Sequence, residues 1–429
     1  QIEYYRNGGG PNVNWMKEIY KSAAPMQSHS LSINGGNEKT TFMTSLAYLN
    51  QNSLLEGPNY GLNRYNGRMN VVHEMSDRLK ISANMAYARN EIKDHAYWTE
   101  WIVEQATRMP SIYPIVDGNG NYTLPSGSNS NALSRLEAGG YRMVSNDDLS
   151  GSVSAELEII DKLKLKGMLG GQLYNNRTHE NRKAIPGTGD SENRMTEYFG
   201  RTQNITSNVI LTYDKIIGPH TFGALAGYSY EGGRNNSFSA YRITERADFD
   251  IPAGPQTEQT QNEGWANDWS IYSGFFRLNY NYQEKYLLEF NIRDDFSSKF
   301  AKGNRSAVFP SMSGAWRISE ESFYDDFKKY IPSLKIRSSW GLVGNNRIDD
   351  YQYQSTVSVS NGYNFGNNIV NVADFSSVNA DLKWETTRMF NVGVDAGLAD
   401  NRLNLTFDYF HNMTYDILVN LPVPGTYGG

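Results

Sequence analysis

The 429-residue sequence contains no cysteine, which removes both a disulfide framework and any cysteine-ligated metal site. No apolar run approaches the roughly 18 residues that a membrane-crossing helix needs, and the mean hydropathy is −0.60. Positive charge is not in excess either. The formal net charge is −6 and the pI about 5.7, so no global basic field points to a nucleic-acid partner. Histidine is scarce and scattered, at His29, His73, His95, His179, His220 and His411, without a close pair or an HExxH arrangement for a metal or a general base. No catalytic constellation is visible, and no cofactor is expected. The chain opens on Gln1 and carries no signal peptide, so it is expected to be a piece of something longer.

What the sequence does have is tyrosine and glycine, 29 and 39 residues respectively, with aromatics at 13%. That balance suits a β-protein with aromatic belts. Apolar residues recur at every second position. Leu79, Ile81, Ala83, Met85 and Tyr87 form one such series, Phe276, Leu278, Tyr280 and Tyr282 another, and Leu403, Leu405, Phe407 and Tyr409 a third. About fourteen strands can be counted this way, many longer than the usual ~5–6 residues. Short turns at 35–39, 75–77, 161, 216–220, 283–285 and 399–401 alternate with long connections near 51–60, 91–145, 179–195, 233–265 and 344–383. The stretch 319–333 reads as a short helix in a turn position.

A strand with one greasy and one charged face can cover a soluble core or separate lipid from a wet lumen. Three features together favour the second. The strands reach the roughly 9–11 residues of a tilted spanning strand. Short and long connections alternate, as they do between the two sides of an outer-membrane barrel. Aromatics such as Tyr48, Tyr87, Tyr213, Tyr282, Tyr286, Trp316 and Tyr409 fall toward strand ends, where an interfacial girdle would lie. A cation on the lipid side costs about 2–4 kcal/mol at mid-bilayer. Arg64, Arg68, Lys164, Lys166, Arg277, Arg293, Arg317 and Arg337 are therefore expected to face the lumen.

Residues 293–321 resemble a signature of the SusC-like (RagA/SusC) TonB-dependent outer-membrane transporters of Bacteroidota. The residues that carry it are Arg293, Asp295, Ser297, Ser298, Phe300, Asn304, Arg305, Phe309, Pro310, Ser311, Ser313, Trp316, Arg317, Ser319, Glu320 and Glu321, with Phe296 standing where the pattern has Gly. The stretches LSINGGNEKTTFMTSLAYLNQNSLL, LKIRSSWGLVGNN and LKWETTRMFNVGVDAGLADNRLNLTFDYFHNMTYDIL extend the likeness over most of the chain. The resemblance implies an all-β, antiparallel barrel of the 22-stranded type, here a partial barrel of about 14 strands. Residues 1–25 are expected in an external loop and 26–429 in strands and their connections, with the plug and the last strands outside the sequence. A partial chain leaves two strand edges, so an open, curled sheet or an imperfectly closed smaller barrel is expected. The resemblance also implies import of large nutrients, oligosaccharides or oligopeptides. Its partners would be a SusD-like lipoprotein lid, TonB acting through the absent N-terminal segment, and membrane lipid.

Other candidates read as structural. Asp294 and Asp295 are adjacent in a strand and so point to opposite faces. Residues 116–123 (VDGNGNYT) lack the Gly and closing Glu of a calcium loop and read as a polar turn. NGGGP at 7–11 reads as a flexible loop. In 95–114, Trp98, Trp101, Ile102, Gln105 and Met109 fall at helical spacing. They suit a loop helix packing its apolar side, or an aromatic platform for sugar or peptide faces built with Tyr97. Trp265 and Trp269 divide the same way between girdle anchors and substrate contacts. Two rival functions fit the same alternation: a secreted or surface β-rich binding protein, whose apolar faces would be buried together, and a passive porin-like channel.

Overall fold

The computed structural model describes residues 2–124, 131–185, 192–244, 250–252, 260–355, 357–365, 368–375, 379–400 and 402–419. Twelve strands follow one another as up-and-down neighbours: β1 (Met26–Gly36), β2 (Thr40–Asn52), β3 (Gly61–Ser76), β4 (Leu79–His95), β5 (Gly140–Ile160), β6 (Leu163–Arg182), β7 (Asn193–Ile217), β8 (His220–Thr244), β9 (Thr260–Tyr282), β10 (Tyr286–Ser297), β11 (Ser306–Arg317) and β12 (Ser333–Asn345). A separate hairpin of β13 (Val357–Phe365) and β14 (Asn368–Phe375) then intervenes before β15 (Glu385–Leu398) and β16 (Leu403–Tyr415) complete the sheet. Among the described residues the main sheet has 14 antiparallel strands in the order β1 to β12, β15, β16, so it is open, with β1 and β16 as its edges.

Connections alternate as the sequence suggested. At one end the links are 37–39, 77–78, 161–162, 218–219, 283–285, 318–332 and 399–402; at the other they run from 53–60 up to 96–139 and 346–384. The long connections are shorter than read from the sequence, because β8 and β9 run on to Thr244 and back from Thr260. Beyond the apolar band polar residues such as Arg201, Arg234 and Asn236 enter the outward face, so the period-2 signal fades although the ladder continues. The segment 318–332 forms two 3-10 turns, at Ile318–Glu320 and Ser322–Tyr324, rather than an α-helix. Phe296 makes no turn: it stays in β10 and stacks on Tyr272 at 4.4 Å between ring centroids.

Register sorts the side chains. Directly opposed residues share a face. Tyr286 opposes Tyr282, which opposes His220; ten residues along the same strands, Phe296 opposes Tyr272, which opposes Tyr230. Two aromatic rows thus lie ten residues apart on three neighbouring strands. At ~3.3 Å per residue and a tilt near 40°, that spacing is roughly 25 Å along the membrane normal, the height of the apolar band of an outer-membrane barrel. Between the rows this face carries Leu278 and Phe276 on β9 and Leu288, Phe290 and Ile292 on β10. Asp294, one step below Phe296, accepts a hydrogen bond from the Ser306 hydroxyl at 2.7 Å, and His411 interrupts the apolar run of β16.

Among the described residues no second protein layer covers the apolar face. Leu169 is 58%, Leu278 42% and Phe407 72% exposed, as a hydrocarbon-facing surface requires. The buried core lies instead in the external connections, around Trp15, Ile19, Tyr97, Ile102 and Leu136, with a second small cluster of Phe300, Phe309 and Trp384. In the full-length protein, Leu278→Arg should cost about 2–4 kcal/mol of stability in bilayers, while Asn279→Arg on the opposite face should cost close to nothing. Denaturant unfolding in lipid vesicles checks this. Equal penalties for the two substitutions would contradict the assignment of faces.

Candidate functional site: the polar face and the external mouth

The opposite face gathers the cations. Following opposed pairs across the sheet, Arg64 and Arg68 on β3, Lys164 and Lys166 on β6, Arg277 on β9, Arg293 on β10, Arg317 on β11 and Arg337 on β12 all fall on one side. Asp294 and Asp295 separate to opposite faces, and only Asp295 joins this side, where it accepts a bond from Arg293. Most of these cations are paired with strand neighbours. The Arg337 guanidinium reaches Asp408 at 2.7 Å and Asp395 at 3.2 Å and also donates to Asn391. Arg277 donates to Asn291 at 2.6 Å, Arg317 bridges Glu284 and Glu320, and Lys164 lies 3.7 Å from Glu156. A hollow of about 490 Å³ on this side draws lining from β7 round to β15, including Asp214, Asn279, Glu289 and Arg337. Only a surface concave on this side brings strands that far apart in the sheet around one hollow.

The second constellation sits among the long connections. Helix α1 (Ile2–Arg6) opens the chain, α2 (Trp15–Ile19) follows, and α3 (Thr99–Arg108) and α4 (Ala132–Glu137) lie in the β4–β5 connection. In α3 the predicted periodicity holds: Ile102 and Ala106 are buried in the loop core, while Trp98 at its N-terminus is 77% exposed. Asn131 caps α4 by accepting from the Leu133 and Ser134 amides, satisfying two of the amides that a helix start leaves over. This cap places Arg135 against two rings, 3.7 Å from the Trp101 centroid and 4.5 Å from that of Tyr97. Arg182, at the external end of β6, lies 4.8 Å from Tyr97. Tyr97, Trp98, Trp101, Glu100, Glu104 and the two arginines line a cavity of about 420 Å³.

The structure therefore brings three of the five sequence-predicted contacts together and leaves two apart. Trp265 and Trp269 lie on β9, and register puts them on the same face as Arg277. That corrects the girdle reading, since the girdle residues Tyr272 and Tyr282 occupy the other face. Arg135 and Arg182 were missed; they carry no local signal, because their meeting with Tyr97 depends on two connections closing on each other. The turn at 116–123 is a polar hairpin in which Asp117 accepts from the Asn119 and Asn121 amides. Those bonds hold its carboxyl below the ordinary range.

Tyr60 ties the connections together. Its ring is buried, and its single hydroxyl proton is shared between the carbonyls of Leu136 at 2.9 Å and Gly140 at 3.2 Å. Burial, with the nearby Asp94 charge, pushes the phenol up to about 12. A raised acid pKa favours the protonated form. Its contribution to stability is full below the unfolded value near 10 and lost as pH climbs through about 12. Tyr60→Phe should loosen the mouth by about 1 kcal/mol, from the lost shared bond. Hydrogen exchange of residues 96–139 checks this: faster exchange in the variant at neutral pH is expected, and unchanged protection would contradict the role of the hydroxyl.

Residues 103–429 match the TonB dependent receptor-like β-barrel family. Over 97% of its length the chain is 29% identical to TonB-dependent receptor P3 of Formosa agariphila, covering 42% of that protein. It is 26% identical to TonB-dependent receptor SusC of Bacteroides thetaiotaomicron, again over 97% of the chain and 44% of the relative. The chain thus spans less than half the length of these curated relatives. A solved structure of the RagAB peptide importer superposes with a TM-score of 0.83 at 24% identity, covering 97% of this chain and 47% of that one, which supports the fold. The chain belongs to the TonB-dependent receptor family of outer-membrane β-barrels, with SusC-type relatives among the Bacteroidota.

Proposed function

We propose that this chain is wall and mouth of an energised importer of large nutrients. Its cation-bearing face lines the lumen, and its external connections hold the cargo before passage. The observation that carries the reading is the collection of eight basic side chains on one face of a 14-stranded sheet whose other face is greasy and exposed. Charged and amide groups already paired along a wall offer replaceable hydrogen bonds, so a polar cargo can exchange partners as it moves instead of binding once. Rings at the mouth add modest affinity for flat sugar faces or peptide side chains.

Cargo is oligosaccharide or oligopeptide in this reading. RagAB, which shares the fold, is a peptide importer, the resemblance to SusC-like transporters implies oligosaccharides as well, and the mouth chemistry of paired arginines, glutamates and tryptophans suits either. A SusD-like lipoprotein would close the external side, and TonB would supply energy through a plug segment encoded with the full-length protein. Arg64, Arg68, Lys164, Lys166, Arg277, Arg293, Arg317 and Arg337 are assigned to the lumen. Tyr97, Trp98, Trp101, Trp265 and Trp269 are assigned to cargo contact.

The test is uptake and binding by the full-length protein with its neighbouring lipoprotein. Loss of the gene should abolish growth on one class of large nutrient and spare its monomers. Trp98→Ala, Trp265→Ala and Trp269→Ala should each weaken cargo binding roughly 2- to 12-fold, the equivalent of about 0.5–1.5 kcal/mol per ring, with folding unchanged. Growth unaffected by deletion on both glycans and peptides would reject the importer reading. Unchanged binding in all three variants would reject the assigned contacts.

A further inference from the structure

A cavity of about 550 Å³ opens just above the upper aromatic row, and the signature residues Ser298 and Arg305 help to line it. Its strand-borne lining comes from β7, β8 and β9. By register Gln203, Ile205, Tyr230, Arg234, Asp268 and Ser270 belong to the apolar, outward face, while Asn204, Gly233 and Trp269, which alternate with them along the strands, belong to the cation-bearing one. Tyr230 belongs to the upper aromatic row, Ile205 and Ser270 share the next row beyond it on this face, and Gln203 and Arg234 share the one after that. The cavity therefore sits where hydrocarbon gives way to headgroups, on the side of the long connections.

The site is held in place. Ser298 and Ser270 exchange two hydrogen bonds of 2.9 Å, one backbone to backbone and one from the Ser270 amide to the Ser298 hydroxyl. Arg305 is fixed by donating to the Phe300 carbonyl at 2.9 Å and to the Tyr353 hydroxyl at 3.4 Å, and Phe300 is fully buried beside Trp384. Gly232, on the same wall, leaves room that a side chain would fill, since a Cβ there would lie 2.5 Å from the Tyr230 hydroxyl. Two guanidiniums face one carboxylate, Asp268. It stands 3.7 Å from Arg234 in a loose pair, with both side chains about 60% exposed. The net charge of the cavity is positive, and tyrosine, serine and glutamine supply hydroxyl and amide partners.

We propose that this cavity binds the headgroup of a phosphorylated glycolipid of the outer leaflet. The phosphate would lie on Arg305 and Arg234, and sugar hydroxyls on Gln203, Ser270 and Tyr353. An acyl chain would descend past Ile205 into the band. Charge complementarity argues for a phosphate, and continuity with the greasy face argues for a lipid rather than a free anion. The signature residues then serve the membrane side of the wall, not the cargo path. The proposal rests on the reading that the apolar face meets lipid, and is independent of the cargo.

The test is lipid retention by the full-length protein purified in mild detergent, quantified by mass spectrometry. It is combined with titration by phosphorylated glycolipid, its dephosphorylated form, a phospholipid and inorganic phosphate. Wild type should retain the phosphorylated glycolipid and bind it at least tenfold more tightly than the dephosphorylated form. Arg234→Gln, whose side chain is largely exposed, should lower retention severalfold without affecting folding, and Arg305→Gln should lower it further. Equal binding of the dephosphorylated form, equal retention by Arg234→Gln, or inorganic phosphate competing at the glycolipid's own concentration would overturn the headgroup site. Absence of any bound lipid, phospholipid included, would overturn the lipid-facing reading beneath it.

Discussion

Each strand of this sheet has to satisfy two solvents at once. Hydrocarbon cannot accept a hydrogen bond, so the backbone must pair within the sheet, and a side chain turned outward must be apolar over the thickness of the membrane. The two-residue period of a strand meets that demand without further machinery. Leu278 faces out because Arg277 and Asn279 face in, and a slip of one residue would invert every assignment on β9. Register, fixed by links as short as 218–219 and 161–162, is therefore the constraint on which the wall, the lumen lining and the mouth depend.

The same constraint explains where a packed core forms. Within the sheet one face meets lipid and the other carries paired charges, so neither can build a dry interior. Among the described residues the larger apolar cluster forms where the long connections fold on themselves, around Ile102, Leu136 and Tyr60. Those connections are free of the two-solvent rule, and the ring-on-guanidinium stacking of Arg135 and Arg182 is found there. The open edges β1 and β16 are exposed along their whole length. Unpaired ladder groups at an edge are open to pairing with further strands.

Much of this was legible in the sequence, and for a physical reason. Alternation at period two is a local signal, so the strands, the faces and the sorting of Arg277 from Leu278 could be read directly, and the motif around Arg293 and Trp316 named the family. Strand ends were read less well: β8 reaches Thr244 through residues assigned to a loop, because outside the membrane nothing forces one face to be apolar. The mouth was half visible. Trp98 and Trp101 advertised a helix, but Arg135 comes to Trp101 from another helix, Arg182 comes to Tyr97 from a strand end, and the Tyr60 hydroxyl meets the Leu136 and Gly140 carbonyls. Trp265 and Trp269 stayed divided between girdle and substrate contact because proximity to a strand end does not reveal parity; the pairing of β9 with β8 puts them on the face of Arg277.

The central claim is that lipid wets one face of these strands and water the other. Spin labels placed singly at positions 276 to 279 of the full-length protein in bilayers test it directly, by comparing accessibility to oxygen and to a water-soluble nickel chelate. The account predicts alternation, with 276 and 278 accessible to oxygen and 277 and 279 to nickel. Accessibility without a two-residue period, or in the opposite phase, would contradict it.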